Sequence, residues 1–206
     1  MSQIDPPVEG YPPAPWQTHG GAWIGLFHTD RALLLPPDLR PLLGDRRVVV
    51  ALIRHLTGTL RYNEFIVGMY VRRGAVPGLY IQHIWVDNAA SLWGGRRIWG
   101  LPKQLARFDW SGNTVAISAA DAPIATVSID PRTAYAPRIP MPVPILGCRE
   151  RRWLLALALA SARLGRASIR LHDWSARLPY RPDSTPLLAV AMKPFHLKIP
   201  APVVIR

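Results

Sequence analysis

The sequence predicts a mainly β (α+β) fold in a single domain spanning residues 1–206, with antiparallel strands closing, or nearly closing, into a barrel and a few short helices beside it. Three observations lead there. Runs rich in Val, Ile and aromatic residues, such as 48–53 (VVVALI) and 62–71 (YNEFIVGMYV), stay apolar at successive positions, as strands covered on both faces do. Gly58, the segment 74–78 with Pro77, and Ser111-Gly112-Asn113 punctuate these runs where hairpins need turns. A chain of 206 residues, 49% hydrophobic and with eight Trp, can build a sizeable core, and its length fits one domain at roughly 100–200 residues per domain. Closing the sheet gives each strand an inside and an outside to bury.

Residues 1–17 contain Pro6, Pro7, Pro12, Pro13 and Pro15 and read as an extended arm with no core of its own. A short strand follows at 22–27 (AWIGLF). Residues 30–35 suit a single helical turn stopped by Pro36-Pro37, and 37–43 a second short helix with Gly44 past its end. Strands 48–53, 62–71 and 79–86 come next, the last closed by Asp87-Asn88. Ile98-Trp99 reads as another short strand, ending in Gly100-Leu101-Pro102. Residues 107–110 and 114–118 form a hairpin around Ser111-Gly112-Asn113, and 125–129 add a strand. The stretch 137–144 (PRIPMPVP) is expected at an edge or as a crossing connection, because proline cannot donate to a central ladder. Residues 153–171 favour helix on propensity, yet alternate Leu with Ala at period two, and are assigned to strand. Residues 187–192 and 196–205 are two closing strands, interrupted by Pro194 and Pro200.

The formal charge of +12 invites a nucleic-acid reading. Against it, the basic residues come as scattered pairs (Arg46-Arg47, Arg72-Arg73, Arg96-Arg97, Arg151-Arg152), and no nucleic-acid-binding motif accompanies them. Neither nucleic acid nor membrane is an expected partner. The longest apolar run, 153–162, is too short to span a bilayer, and the acidic start MSQIDPPVEG does not resemble a secretory signal. A cytoplasmic protein is the expectation. The lone Cys148 forms no intramolecular disulfide, and His19, His28, His55, His83, His172 and His196 lack zinc-ligand spacing. No metal and no cofactor are expected.

Of 25 cationic residues, 22 are Arg and three are Lys: Lys103, Lys193 and Lys198. Arginine stays charged, whereas a buried lysine can become a neutral nucleophile. Lys103 stands out because its surroundings are aromatic and poor in charge, with Trp85, Trp93, Trp99, Leu101 and Pro102 as expected walls. Lowering a lysine by three to four pH units from about 10.4 costs roughly 4–5 kcal/mol, which desolvation can supply. A neutral amine would attack a carbonyl to give a Schiff base, an electron sink for breaking the adjacent C–C bond. Such a site needs an acid or base nearby. Glu64, inside the apolar run 62–71, is the candidate, since a carboxylate there is costly unless paired or functional.

Tyr62-x-Glu64, the strand 80–86 closed by Asp87, and Gly95-Arg96 followed by Ile98-Trp99-Gly100-Leu101-Pro102-Lys103 resemble the acetoacetate decarboxylase superfamily, and the spacing from Glu64 to Lys103 agrees with it. That enzyme is itself a standard example of a tuned Schiff-base lysine. The resemblance implies a cone-like antiparallel β-barrel, often oligomeric, with Lys103 as Schiff-base lysine and Glu64 as active-site glutamate. Gln104, Tyr62, Arg96 and Trp99 are candidate substrate contacts. Gln104 stands where the decarboxylase carries a second lysine, and Arg97 where it carries a glutamate. A further glutamate and a carboxylate-binding arginine of the family fall near Val49 and Gly20 and are not reproduced; Arg54, Arg61 and Arg96 are the candidate replacements. The expected function is a lyase acting on a small keto acid or ketone, by decarboxylation or by aldol and dehydration chemistry. A non-catalytic barrel binding a small ligand is the alternative. A homo-oligomer is expected.

Overall fold

The computed structural model describes residues 10–120, 122–130 and 135–205. In chain order its strands are β1 (Trp16–His28), β2 (Arg40–Pro41), β3 (Arg47–Gly58), β4 (Tyr62–Arg73) and β5 (Val76–Val86). Helix α1 (Ala89–Trp99) follows, then β6 (Lys103–Leu105), β7 (Arg107–Ser111), β8 (Thr114–Ala119), β9 (Ala122–Asp130) and β10 (Tyr135–Arg149). The chain closes with β11 (Arg152–Arg166), β12 (Ser168–Trp174), β13 (Leu188–Ile199) and β14 (Val203–Ile205). β3, β1, β13, β11, β10, β5 and β4 form a closed ring, completed by the pairing of β4 with β5. The expected mainly β barrel is thus present. Its pairings are antiparallel except at one seam, where β10 runs parallel to β5 at Ile145–Leu79 and Leu146–Tyr80. A second sheet, in the order β12-β9-β8-β7, packs outside the ring.

That second sheet explains the strands with no polar face. Along β3, Val48, Val50 and Leu52 belong to one buried cluster with Val115, Ile117, Val127 and Ile169 of the second sheet. Val49, Ala51 and Ile53 belong to another, inside the ring. Side chains alternate across a strand, so one strand serves two cores. Burying a large apolar side chain is worth roughly 1.5–3 kcal/mol, and β3 gains this on both faces.

Several local expectations change. Residues 30–43 hold turns, bends and the two-residue strand β2 in place of the expected helices, because their backbone donors go to distant acceptors: Leu33 N–H to Asp45 (2.8 Å) and Leu42 N–H to Tyr70 (2.9 Å). The helix of the described residues lies instead at α1, where Ile98-Trp99 read as strand. Asn88 caps it by accepting from Ser91 N–H, and Gly100 ends it at φ 65°, with its N–H returning to the Gly95 carbonyl. The proline-rich stretch 137–144 is a barrel strand, not a connection. Pro140, Pro142 and Pro144 fall at alternate positions opposite Ser161, Leu159 and Leu157 of β11. The parallel pairing to β5 begins only at Ile145, so over these residues β10 needs donors on one side alone. β13 runs unbroken past Pro194, which sits at an irregularity in both of its ladders. Residues 153–171 are strand, as assigned, but divide at Ala167 between the barrel and the second sheet.

Candidate functional site

β6 lies parallel beside β5 with Lys103 opposite Ile84, while Glu64 on β4 lies opposite Val86 of β5 and Ile53 of β3. The two side chains meet inside the ring. Lys103 Nζ donates to Glu64 Oε1 at 2.8 Å and to Ser91 Oγ at 2.9 Å, with the Tyr62 ring centroid at 5.0 Å and that of Trp16 at 6.0 Å. Both ions are buried, at 3% and 6% exposure. On the far side of the carboxylate, Glu64 Oε2 lies 3.3 Å from His55 Nε2, and His55 Nδ1 lies 2.9 Å from Thr18 Oγ1. An ionised carboxylate only accepts, so Nε2 carries the proton between them. The Tyr62 ring stacks on His55 at 4.2 Å, and Tyr62 shares a hydrogen bond with Ser91.

Electrostatics fix the protonation of two of these groups. Burial raises the proton affinity of Glu64, but the Lys103 cation and the His55 hydrogen bond outweigh it and hold the carboxyl at about 2. Glu64 is therefore ionised at neutral pH. Burial, and then the Glu64 charge, push the Tyr62 phenol well above its ordinary value, so it keeps its proton.

Two glycines in α1 make room for this constellation. A Cβ on Gly95 would overlap Lys103 Cδ and stand 2.7 Å from Cε; one on Gly94 would stand 2.5 Å from Trp16 Cη2. Ordinary contacts between carbon atoms are about 3.5–4.0 Å. The helix gives up propensity at both positions so that the lysine stem and an indole can lie against it.

The ion pair faces a cavity of about 330 Å³ lined by residues from all seven barrel strands. Trp99 and Leu101 line it as expected, with Trp99 Nε1 donating to the Pro200 carbonyl at 2.7 Å. The other expected walls stand elsewhere. Trp85 faces the outer cluster, Trp93 packs against Tyr62, Val86 and Leu92, and Pro102 is exposed. Trp16 takes their place; it is 1% exposed, so the supposed coreless arm ends in a core residue. Residues 1–9 of that arm lie outside the described residues.

Of the candidate contacts, Tyr62 and Trp99 reach the cavity. Gln104 does not: next to a buried Lys103, strand alternation turns it outward and exposes it. Arg96 braces the site from behind, its Nε donating to the Lys103 carbonyl at 2.7 Å. Arg54 lies over the Trp110 ring at 4.6 Å, and Arg61 is exposed. Among the described residues lining the cavity, none is an arginine. Ser91, His55, Thr18 and Trp16 are the site residues that the sequence left unmarked. One signal was present, since His55 continues the parity of Val49, Ala51 and Ile53, a polar group on the cavity-facing side.

No group of three or more His, Cys, Asp or Glu among the described residues is placed to hold a metal ion, and no helix among them is long and apolar enough to cross a membrane. The acetoacetate decarboxylase (ADC) family model matches residues 6–140, about two thirds of the chain and both members of the ion pair. The chain belongs to the acetoacetate decarboxylase family. Acetoacetate decarboxylase of Acidiphilium cryptum (strain JF-5) is 34% identical over 102 residues, which cover 48% of this chain and 42% of that protein. The match thus spans less than half the length of that curated relative. A solved acetoacetate decarboxylase superposes with a TM-score of 0.70 at 18% identity, covering 98% of this chain and 95% of the other. The enduracididine biosynthesis enzyme MppR, in complex with the condensation product of pyruvate and imidazole 4-carboxaldehyde, gives 0.59 at 15% identity over 98% and 90%. At such identities these two show that the barrel is the ADC-family fold.

Proposed function

We propose that the chain is a lyase of the acetoacetate decarboxylase type that forms a Schiff base between Lys103 Nζ and a carbonyl substrate. The observation carrying this reading is a buried lysine held by a single carboxylate at the inner end of an apolar cavity. At rest the pair is ionic, and an ammonium ion cannot attack. Glu64 is low in proton affinity because the neighbouring cation holds it there. As Nζ gives up its proton and closes on the carbonyl carbon, that support is lost and burial makes Glu64 a competent base. Attack yields a carbinolamine; protonation of its hydroxyl by Glu64 expels water and leaves the C=N bond. Tyr62, protonated and joined to Ser91, is the second proton donor at hand.

From that intermediate the electrons of an adjacent C–C bond can move into the imine. A β-keto acid would lose carbon dioxide, and an enamine could instead add to an aldehyde and then shed water. Family membership supports the first route, and MppR, bound to a condensation product of pyruvate and an aldehyde, supports the second. The absence of arginine from the described lining favours a non-catalytic ligand-binding barrel only if Lys103 proves unreactive. A homo-oligomer belongs to the same proposal: Leu157 and Leu159 on β11, with Val203 and Val204 on β14, are at least half exposed.

The test is reductive trapping. The protein is incubated with a panel of ketones, aldehydes and β-keto acids, reduced with borohydride, and the adduct located by peptide mass spectrometry. An adduct on Lys103 is expected. An adduct that persists in Lys103→Ala would move the chemistry to Lys193 or Lys198, and no adduct with any carbonyl would leave the binding-barrel reading in its place.

A further inference from the structure

The cavity extends well past the ion pair. On β4 its lining runs from Glu64 through Ile66 to Tyr70, six residues along one face. At about 3.3 Å per residue this is on the order of 20 Å. Leu79 on β5, opposite Tyr70, and Pro142 on β10 lie at the far end with it. Tyr70 is 38% exposed and Pro142 is also exposed, whereas Glu64 and Lys103 are almost completely covered. The reactive amine therefore stands at the closed end and the mouth opens near Tyr70.

Width follows from the residues that β11 turns inward. Ala156, Ala160 and Ala162 face the inner cluster while Leu157 and Leu159 face out, and of the three alanines Ala160 lines the cavity itself, with Leu164 further along the strand. Ala22 and Ala51 add to the same lining. A volume of about 330 Å³ spread over about 20 Å leaves a mean section of about 16 Å², the bore of a single hydrocarbon chain whose neighbours sit about 4 Å away. At about 30 Å³ for each water-sized unit, the volume holds roughly eleven such units, more than acetoacetate would fill. Chemistry follows from charge. Glu64 and Lys103 are the charged side chains in the lining, and both are at the closed end. A charge on the tail of a ligand would be buried without a partner.

We propose that the cavity takes an unbranched aliphatic carbonyl compound of about ten non-hydrogen atoms, its carbonyl at or near the chain end against Lys103 and its uncharged tail running toward Tyr70. This rests on the Schiff-base reading for the position of the carbonyl, but not for the tail.

The test compares 2-butanone, 2-heptanone, 2-nonanone and 9-oxodecanoate in the borohydride assay, with 1-nonanol as a non-carbonyl ligand in a thermal-shift assay on the same protein. Apparent affinity should rise about three- to fourfold per added methylene up to 2-nonanone. The charged 9-oxodecanoate should fall far below it, and 1-nonanol should raise the melting temperature. Leu79→Trp, bulking the lining opposite Tyr70, should lower the ratio of long-chain to short-chain affinity at least tenfold; Ile145→Phe, on the strand paired with Leu79, provides the same test if that variant does not fold. Adduct formation without dependence on chain length, or with 9-oxodecanoate preferred, overturns the inference while leaving the Schiff base standing. Stabilisation by 1-nonanol with no adduct from any ketone leaves the tail site standing and removes the Schiff base. Neither response removes both.

Discussion

Replacing Glu64 with glutamine (Glu64→Gln) keeps the shape of the side chain and removes one of two buried charges. The gap between about 2 for Glu64 in the folded chain and 4.5 for a free glutamate corresponds to about 3 kcal/mol of folding free energy. Because the folded value is the lower one, the contribution is complete above about pH 5 and is lost as pH falls from 4.5 through 2. Glutamine resembles the protonated acid, so the variant should be less stable than the wild type by about 3 kcal/mol at pH 6 and by roughly half of that at pH 3. Breaking a buried ion pair by removing one partner costs about 3–5 kcal/mol, an independent figure of the same size. Urea unfolding of both proteins across this range measures the difference. The other carboxylates titrate in both proteins and cancel. A gap that stays constant between pH 6 and pH 3 would show that Glu64 is not held ionised by Lys103, and the proton-transfer role proposed for it would fall too.

Two further substitutions bear on how Lys103 is positioned. Gly95→Ala puts a methyl group into the lysine stem, so trapped adduct at Lys103 should drop by at least about tenfold, about 1.4 kcal/mol of barrier, while the thermal transition stays cooperative; unchanged trapping would mean the stem has room to move. Ser91→Ala removes one of the two acceptors at Nζ and the partner of Tyr62, and should cost about 1–3 kcal/mol in urea unfolding. Ser91→Thr, which keeps the hydroxyl, should recover most of that loss; failure to do so would assign the cost to packing.

Glu64 and Lys103 were legible in the sequence for physical reasons. A carboxylate in an apolar run and a lone amine in an arginine-rich chain are both costly, and cost stands out. Long β-branched runs gave the barrel in the same way. Helix α1 was hidden because Gly94 and Gly95 depress helix propensity, and their reason for being there, contact with Trp16 and Lys103, exists only in three dimensions. Asn88 was visible as a strand end but equally marks a helix start. Nearness in sequence is not nearness in space, which is why Trp99 and Leu101 alone of the expected walls line the cavity. Trp85 follows directly on Ile84, which lines the cavity, and so points the opposite way, while Trp16 arrives from a strand about ninety residues earlier. His55 and Thr18 carry no motif, and only the pairing of β1 with β3 brings them together.

The two faces of β3 give neighbouring positions different evolutionary freedom. A change at Val48, Val50 or Leu52 is judged by whether the barrel still holds its second sheet. A change at Val49, Ala51 or Ile53 is judged by which molecule still fits. What the cavity admits can therefore change one residue away from positions that hold the second sheet. For an engineer, β3 reads as two interleaved alphabets, and a library restricted to Val49, Ala51 and Ile53 would vary what the barrel holds while sparing what holds the barrel.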